Sequence, residues 1–235
     1  VRYCLKSNQS AKAIFYGGFN LKLKKDSLLL YAVTDSRWLK NRTLADFCDM
    51  VIPYGITCLQ LREKNTDFDT LVSLGRQLKE ICHKNNILFI VNDDPLAAKE
   101  INADGVHVGQ DDISVAKARE ILGNDKIIGT SAHNVNEAMK AEKDGADYIG
   151  VGAVFGSKTK NNVQEMNTSL LKEIADSVSI PVVAIGGINL ENIELLDKTD
   201  INGAAVVSAI FASDNPCDDT RKLRQLTQKM FGDKK

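Results

Sequence analysis

Asn92-Asp93-Asp94 and Gln110-Asp111-Asp112 each follow a short apolar run that reads as a β-strand. Gln60-Leu61-Arg62-Glu63-Lys64 ends another such run upstream. Carboxylates that share a hard cation, beside an arginine and a lysine, suit a magnesium-bound pyrophosphate. Magnesium takes one or two carboxylates and completes its shell with phosphate oxygens and water. The competing reading of these aspartates is helix capping. Asp94 precedes Pro95, a good first helical residue, and Asp112 stands just before Ser114. Asp94 and Ser114 can do that capping, which leaves Asp93 and Asp112 for a metal.

Other polar residues fall at the ends of further apolar runs. His107 with Gln110 and Asp112, Ser131 with His133, and the segment Gly156-Ser157-Lys158-Thr159-Lys160 each follow one. Gly186-Gly187 and Val207-Ser208 close the series. Solvation alone does not explain polar groups at so many strand ends. The glycine pair with Ser208 matches a barrel phosphate site, in which backbone N–H groups meet a phosphate at a helix start; a tight turn is the plainer alternative. Alternation puts Gln60, Arg62 and Lys64 on one side, with the strand expected to end before Lys64. An arginine aimed into a barrel mouth needs an anion, either a substrate phosphate or a structural carboxylate. His107 reads as a hydrogen-bonded core histidine. His133 reads as a proton carrier or a helix-start residue, and His83 as a partner of a helix C-terminal dipole.

The elements that must position these groups form a regular rhythm. Strands are expected at Leu28–Val33, Cys58–Arg62, Leu88–Val91, Gly105–Val108, Ile127–Thr130, Tyr148–Val151, Val182–Ile185 and Ala204–Val207. Helices are expected at Leu44–Ile52, Phe68–Lys84, Pro95–Glu100, Val115–Leu122, Val135–Lys143, Ser169–Ser177, Leu190–Leu196 and Asp218–Phe231. Phe68, Leu71, Val72, Leu74, Leu78 and Ile81 make one helical stripe. Strand–helix alternation implies a parallel sheet, and eight units imply a single (β/α)8 TIM barrel over residues 28–235, although doubly wound sheets give similar patterns. Ala103-Asp104-Gly105, Gly145-Ala146-Asp147 and Asn202-Gly203-Ala204 repeat just before strands. They read as structural features of the rim opposite the chemistry.

The bulk numbers agree. The chain has 235 residues, 26% charged and 43% apolar, with a net charge of −1. It is long enough for one well-buried domain, and no net field draws it to nucleic acid or an anionic membrane. No apolar run is long enough to span a bilayer. The 5 cysteines are scattered without a Cys-x-x-Cys pair. They argue against a disulfide framework or zinc site and fit a cytoplasmic location. Residues 1–27, rich in lysine and poor in apolar periodicity, read as a loosely ordered extension.

Taken together, the motifs resemble the thiamine-phosphate synthase (thiamine-phosphate pyrophosphorylase) family. The resemblance runs from about Leu28 to Phe211. It rests on Tyr31-Ala-Val-Thr-Asp35, Gln60-Leu-Arg-Glu-Lys64, Asn92-Asp-Asp94, His107-Val-Gly-Gln-Asp-Asp112, Gly129-Thr-Ser-Ala-His133, Thr159-Lys160, Ala184-Ile-Gly-Gly-Ile188 and Val206-Val-Ser-Ala-Ile210. It implies a magnesium-dependent transferase that joins 4-amino-2-methyl-5-hydroxymethylpyrimidine pyrophosphate to a thiazole phosphate, with or without a carboxylate, giving thiamine phosphate and pyrophosphate. Asp93 and Asp112 are implied as metal ligands. The Gln60–Lys64 segment, Leu61 and Glu63 included, is implied in substrate binding with Asn92 and Lys160, and Ser131 is implied near the reacting end. Arg62, Lys64, Ser131 and Lys160 are the implied catalytic groups. Ser157, Thr159, Gly187, Val207 and Ser208 are implied at the thiazole phosphate.

The family chemistry is dissociative, with pyrophosphate leaving before the ring nitrogen attacks, so no strong protein base is called for. Gly156-Ser157 departs from the family's usual Pro-Thr. Serine keeps the hydroxyl, and glycine for proline loosens the loop. Three rivals are a thiazole tautomerase, a sugar-phosphate isomerase or lyase of another barrel family, and a silent binder of thiamine precursors. None of them calls for the combination of Arg62, Lys64, Asp93, Asp112 and Lys160.

Overall fold

The computed structural model describes residues 23–24, 26–39, 41–156 and 168–232. Eight parallel strands close into a barrel in sequence order, with the last bonded to the first. They are β1 Leu30–Val33, β2 Cys58–Leu61, β3 Leu88–Asn92, β4 Gly105–Val108, β5 Ile127–Ala132, β6 Tyr148–Val151, β7 Val182–Ile185 and β8 Gly203–Val206. The first starts later than expected, because Leu28 and Leu29 lie in the turn that enters it.

Around the strands lie α1 Leu44–Val51, α2 Phe68–Lys84, α3 Pro95–Ile101, α4 Val115–Leu122, α5 Val135–Lys143, α6 Thr168–Asp176, α7 Ser208–Phe211 and α8 Pro216–Thr227. Side chains of Thr43, Asp67, Asp94, Ser114 and Asn134 accept from first-turn N–H groups of α1 to α5. These caps explain why the expected and observed starts agree so well. The inward face of α2 is Val72, Gly75, Leu78 and Cys82. Phe68, expected on that face, is 45% exposed at the helix start.

The helix expected at Leu190–Leu196 is only a single 3-10 turn, Ile193–Leu196. Asn189 and Asn192 divert the backbone there. Asn192 Oδ1 accepts from the Asn189 N–H, and Asn189 Oδ1 accepts from the Glu191 N–H. Such local side-chain bonds compete with helix bonds. The closing helix starts at Pro216 and widens at Gln228–Gly232.

The strands are buried on both faces. Outward residues such as Leu59, Leu61, Phe89, Val91, Val106, Ile128, Ile149 and Val206 pack in the core beneath the helices. Inward residues Tyr31, Val33, Cys58, Ile90, Ile127, Tyr148, Val183 and Ala205 form a second cluster inside the barrel, with Leu28 in it and Leu23 packed against it. Residues 23–28 therefore include part of the barrel's packing. The remainder of the expected loose extension, 1–22 and Lys25, lies outside the described residues.

The repeated phrases before alternate strands have a shared task at the N-terminal rim. The side chain leading into each even-numbered strand accepts the first or second N–H of the odd-numbered strand before it. Thr57 Oγ1 takes Leu30 N at 3.0 Å, and Asp104 Oδ2 takes Phe89 N at 2.8 Å. Asp147 Oδ2 takes Ile128 N at 2.7 Å, and Asn202 Oδ1 takes Val182 N at 2.8 Å. These are strand-edge donors with no neighbour strand to meet. Asp147 also pairs with Arg119 at 2.7 Å, and Asp104 with His83 at 3.2 Å.

Candidate active site

The C-terminal ends of the strands surround a cavity of about 230 Å³. Val33, Val183, Ile185, Ala205 and Val207 give it one apolar wall. Gln60, Arg62, Asn92, His107 and Ser131 give it a polar one, with Tyr31 and Tyr148 below. Strand alternation explains the list: in the observed registers, Gln60 pairs with Ile90, Asn92 with His107, and Ser131 with Gly150, all on the inward face.

The acid pair stands at the rim of this cavity. Asp94 is occupied as the cap of α3, accepting from Leu96 N and Ala97 N at 2.9 Å. Ser114 caps α4, accepting from Lys117 N at 3.2 Å. Asp93 and Asp112 are thus left as the capping argument required. Asp93 sits at φ 63°, a left-handed conformation that aspartate tolerates, and its N–H donates to His107 O at 2.7 Å. Gly109 N donates to Asp112 Oδ2 at 2.9 Å, and a Cβ on Gly109 would come within 2.6 Å of that oxygen. Partial burial and the neighbouring Asp112 carboxyl push Asp93 up to about 6, against Asn92 and Arg62, which pull it down.

Two acidic oxygen groups facing each other in this way fit a divalent cation. Among the described residues no group of three or more His, Cys, Asp or Glu side chains could hold a metal. A purely protein cage is therefore not available there. The pair fits magnesium, which leaves most of its shell to phosphate and water.

The Gln60–Lys64 segment divides by strand parity. Gln60 and Arg62 face the cavity, and Lys64 is exposed beyond the strand. Leu61 is 1% exposed and belongs to the core under the helices. Glu63 accepts from Thr34 Oγ1 at 2.7 Å and from Ser36 N at 3.2 Å. The structure thus turns the Leu61 side chain away from the mouth and uses Glu63 to tie β2 to the loop after β1.

Gly186 and Gly187 have φ of +104° and +66°. A Cβ on the first would meet Ala153 Cα at 2.6 Å, and on the second Phe155 O at 2.6 Å. The turn after β7 therefore packs directly on the segment leaving β6, and only glycine fits. Gly187 is exposed, Val207 lines the cavity, and exposed Ser208 opens the short α7 after the neighbouring β8. Ser157, Thr159 and Lys160 lie outside the described residues.

The histidines settle into distinct places. The His133 ring lies 2.9 Å from Glu137 at the start of α5, away from the cavity lining. His107 stands inside the barrel. Its Nδ1 is 3.0 Å from Tyr148 Oη and its Nε2 is 3.2 Å from Ser131 Oγ. Enclosure by protein pushes His107 down to about 4, with the Asp112 charge opposing. Tyr31 Oη lies 2.8 Å from Tyr148 Oη and accepts from Gln60 Nε2 at 2.9 Å. Burial raises both tyrosines well above their ordinary range. Tyr31 and Tyr148 carried no site role in the sequence reading. Tyr31 opens one of the motifs that carry the resemblance; for Tyr148 the only signal was an inward position in a strand beside other inward polar residues.

With this geometry in place, comparison with known proteins is direct. A family model described as thiamine monophosphate synthase matches residues 30–210. Thiamine-phosphate synthase of Clostridium acetobutylicum is 42% identical over 207 residues, covering 88% of this chain and 98% of that protein. The Clostridium novyi enzyme of the same name is 45% identical over 187 residues, covering 79% and 92%. The solved thiamine phosphate pyrophosphorylase from Pyrococcus furiosus superposes with a TM-score of 0.81 at 34% identity, covering 88% of this chain and 98% of that one.

Proposed function

This chain belongs to the thiamine monophosphate synthase family, and from that premise we propose how the mouth of its barrel works. The activity is that of a transferase in thiamine biosynthesis. Pyrimidine-methyl pyrophosphate and thiazole phosphate join to give thiamine phosphate and pyrophosphate. The observation that carries the site assignment is the meeting of one small cavity with one acid pair: Arg62 and Asn92 line the cavity and also act on Asp93.

The cavity has room for a single heteroaromatic ring against its apolar wall, with the charged groups of the substrate left at the rim. Asp93 and Asp112 would hold magnesium. When bound, that ion would neutralise the charge that gathers on departing pyrophosphate. Arg62, Lys64 and Lys160 add positive charge for the same anion. Asn92 bonds Asp93 through its Nδ2 at 2.5 Å and so orients that carboxylate. Gln110 Nε2 holds the Ser131 carbonyl at 2.5 Å, which fixes Ser131 at the cavity edge. Gly187, Val207 and Ser208, with Ser157 and Thr159, take the thiazole phosphate, so the described part of that site lies at the ends of β7 and β8, across the mouth from β3 and β4. Holding them together supplies much of the rate. The attacking ring nitrogen has its own lone pair and needs no protein base.

The tautomerase reading is disfavoured by His133, whose ring is held by Glu137 outside the cavity lining. Among the described residues no helix is long and apolar enough to cross a membrane. Cys48, Cys58, Cys82 and Cys217 are free thiols, which supports a reducing cytoplasm as the place of work.

The test is product formation from both substrates with magnesium and with EDTA, read as fluorescent thiochrome after oxidation. Thiamine phosphate formed only with magnesium is the expected result. Product undiminished by EDTA would remove the metal from the mechanism.

A further inference from the structure

We propose that Tyr31, Tyr148 and His107 are positioning residues that carry one hydrogen-bond direction from Gln60 across the barrel to Ser131, so that Ser131 presents its hydroxyl hydrogen to the cavity. The proposal rests on the pyrimidine-pyrophosphate reading above.

Each link constrains the next. Gln60 Nε2 donates to Tyr31 Oη. A tyrosine hydroxyl has a single hydrogen, and in the proposed direction Tyr31 gives its own to Tyr148 Oη, 2.8 Å away. Tyr148 then gives its hydrogen to His107 Nδ1 at 3.0 Å. A neutral imidazole that accepts at Nδ1 carries its hydrogen on Nε2. That nitrogen donates to Ser131 Oγ at 3.2 Å. The serine hydrogen is the one left over, and it faces the substrate side.

The barrel is carved to hold this line of rings. Gly129 stands where a Cβ would lie 2.1 Å from Tyr148 Cζ, and a Cβ on Gly150 would lie 3.0 Å from His107 Cε1. Two neighbouring strands thus give up side chains to seat the two rings. Tyr31 is 2% exposed and Tyr148 0%, so both hydroxyls are held against their protein partners at the floor of the cavity.

The direction matters for the chemistry. Run the other way, the relay would commit the Ser131 hydrogen to His107 and turn oxygen lone pairs toward the departing anionic oxygens. Run as proposed, Ser131 is a fixed donor to that developing charge. At the other end the Gln60 Oε1 is free to accept from the amino group of the pyrimidine.

Nitrogen-15 NMR of histidine-labelled enzyme reads the tautomer without substrate. We expect His107 to carry hydrogen on Nε2 and a bare Nδ1. Tyr148→Phe keeps the ring and removes the middle link. It should mix the His107 tautomers and lower kcat by about 10-fold or more, with KM for thiazole phosphate changed less than about two-fold. Tyr31→Phe combined with Tyr148→Phe should be no slower than Tyr148→Phe alone, because the two act as one unit. Hydrogen on Nδ1 in the wild type overturns the relay, whether or not the variants fold. So does a Tyr148→Phe enzyme with wild-type kcat. Failure of the underlying function would show separately, as no thiamine phosphate from the wild type.

Discussion

At the scale of the residue, Asp93 is the sharpest test of the site. Asp93→Ala removes one of two facing carboxylates from an exposed loop position. Magnesium-supported turnover should fall on the order of 100-fold or more, with the circular dichroism spectrum unchanged. A folded variant with near-normal turnover would take Asp93 out of the metal site. Ser208→Asp puts a like charge where the thiazole phosphate is proposed to bind. KM for that substrate should rise about 10-fold, roughly 1.4 kcal/mol, and an unchanged KM would move the phosphate elsewhere. His107 gives a pH prediction. The fold lowers it from about 6.5 to about 4, so the folded state favours the neutral ring. That contribution is complete above about pH 6.5 and is lost as pH falls toward the folded value. Between those limits the thermal midpoint of the wild type should fall more steeply than that of His107→Gln; parallel slopes would mean the ring is not held neutral. Asp93, Asp112, Arg62, Asn92 and Ser131 were legible because residue type and strand-end position coincide. Tyr31 and Tyr148 were not, because a tyrosine in an apolar strand reads as packing. Their contact with each other and with Gln60 and His107 emerges only when cross-barrel register joins residues far apart in the chain.

At the scale of the element, most boundaries followed from two local rules, strand alternation and a capping side chain before each helix. The failure at Leu190–Leu196 has the same origin. Its asparagines bond their own backbone, and apolar spacing alone does not register that competition. Ile193 and Leu196 are still buried, so the apolar pattern there reported packing correctly and conformation wrongly. The rim caps make a prediction at this scale. Asp147→Ala would leave the buried Ile128 N–H without its acceptor and Arg119 without its carboxylate. We expect a cost of about 1–3 kcal/mol, or about 2–4 °C of Tm for each kcal/mol. The change lies at the end opposite the cavity, so kcat should hold. An unaltered Tm would show that water replaces the cap.

At the scale of the whole molecule, strand–helix alternation fits both an open doubly wound sheet and a closed barrel. The structure decides for closure through the pairing of Leu30, Tyr31 and Ala32 with Ala204, Ala205 and Val206. No local pattern contains that contact, since its partners come from the two ends of the barrel sequence. Closure by capped pairs predicts where the chain can be cut. Gly123 and Gly145 both occupy left-handed or open turns with nothing within 4 Å of a would-be Cβ. A cut after Gly123 keeps every rim cap with its own strand. A cut after Gly145 separates Asp147 from Ile128. Co-expressed halves from the first cut should recover thiamine phosphate formation, and halves from the second should recover markedly less. Equal recovery would show that the caps do not organise assembly.

Pairwise stitching of the floor also has a consequence for descent. A strand–helix–strand unit that brings its own cap can be copied, exchanged or lost in a genome without stripping a neighbour. Duplication would then add strands two at a time. Tolerated rearrangements of this sequence should fall at the joints between β2 and β3, β4 and β5, or β6 and β7, where no cap crosses the seam.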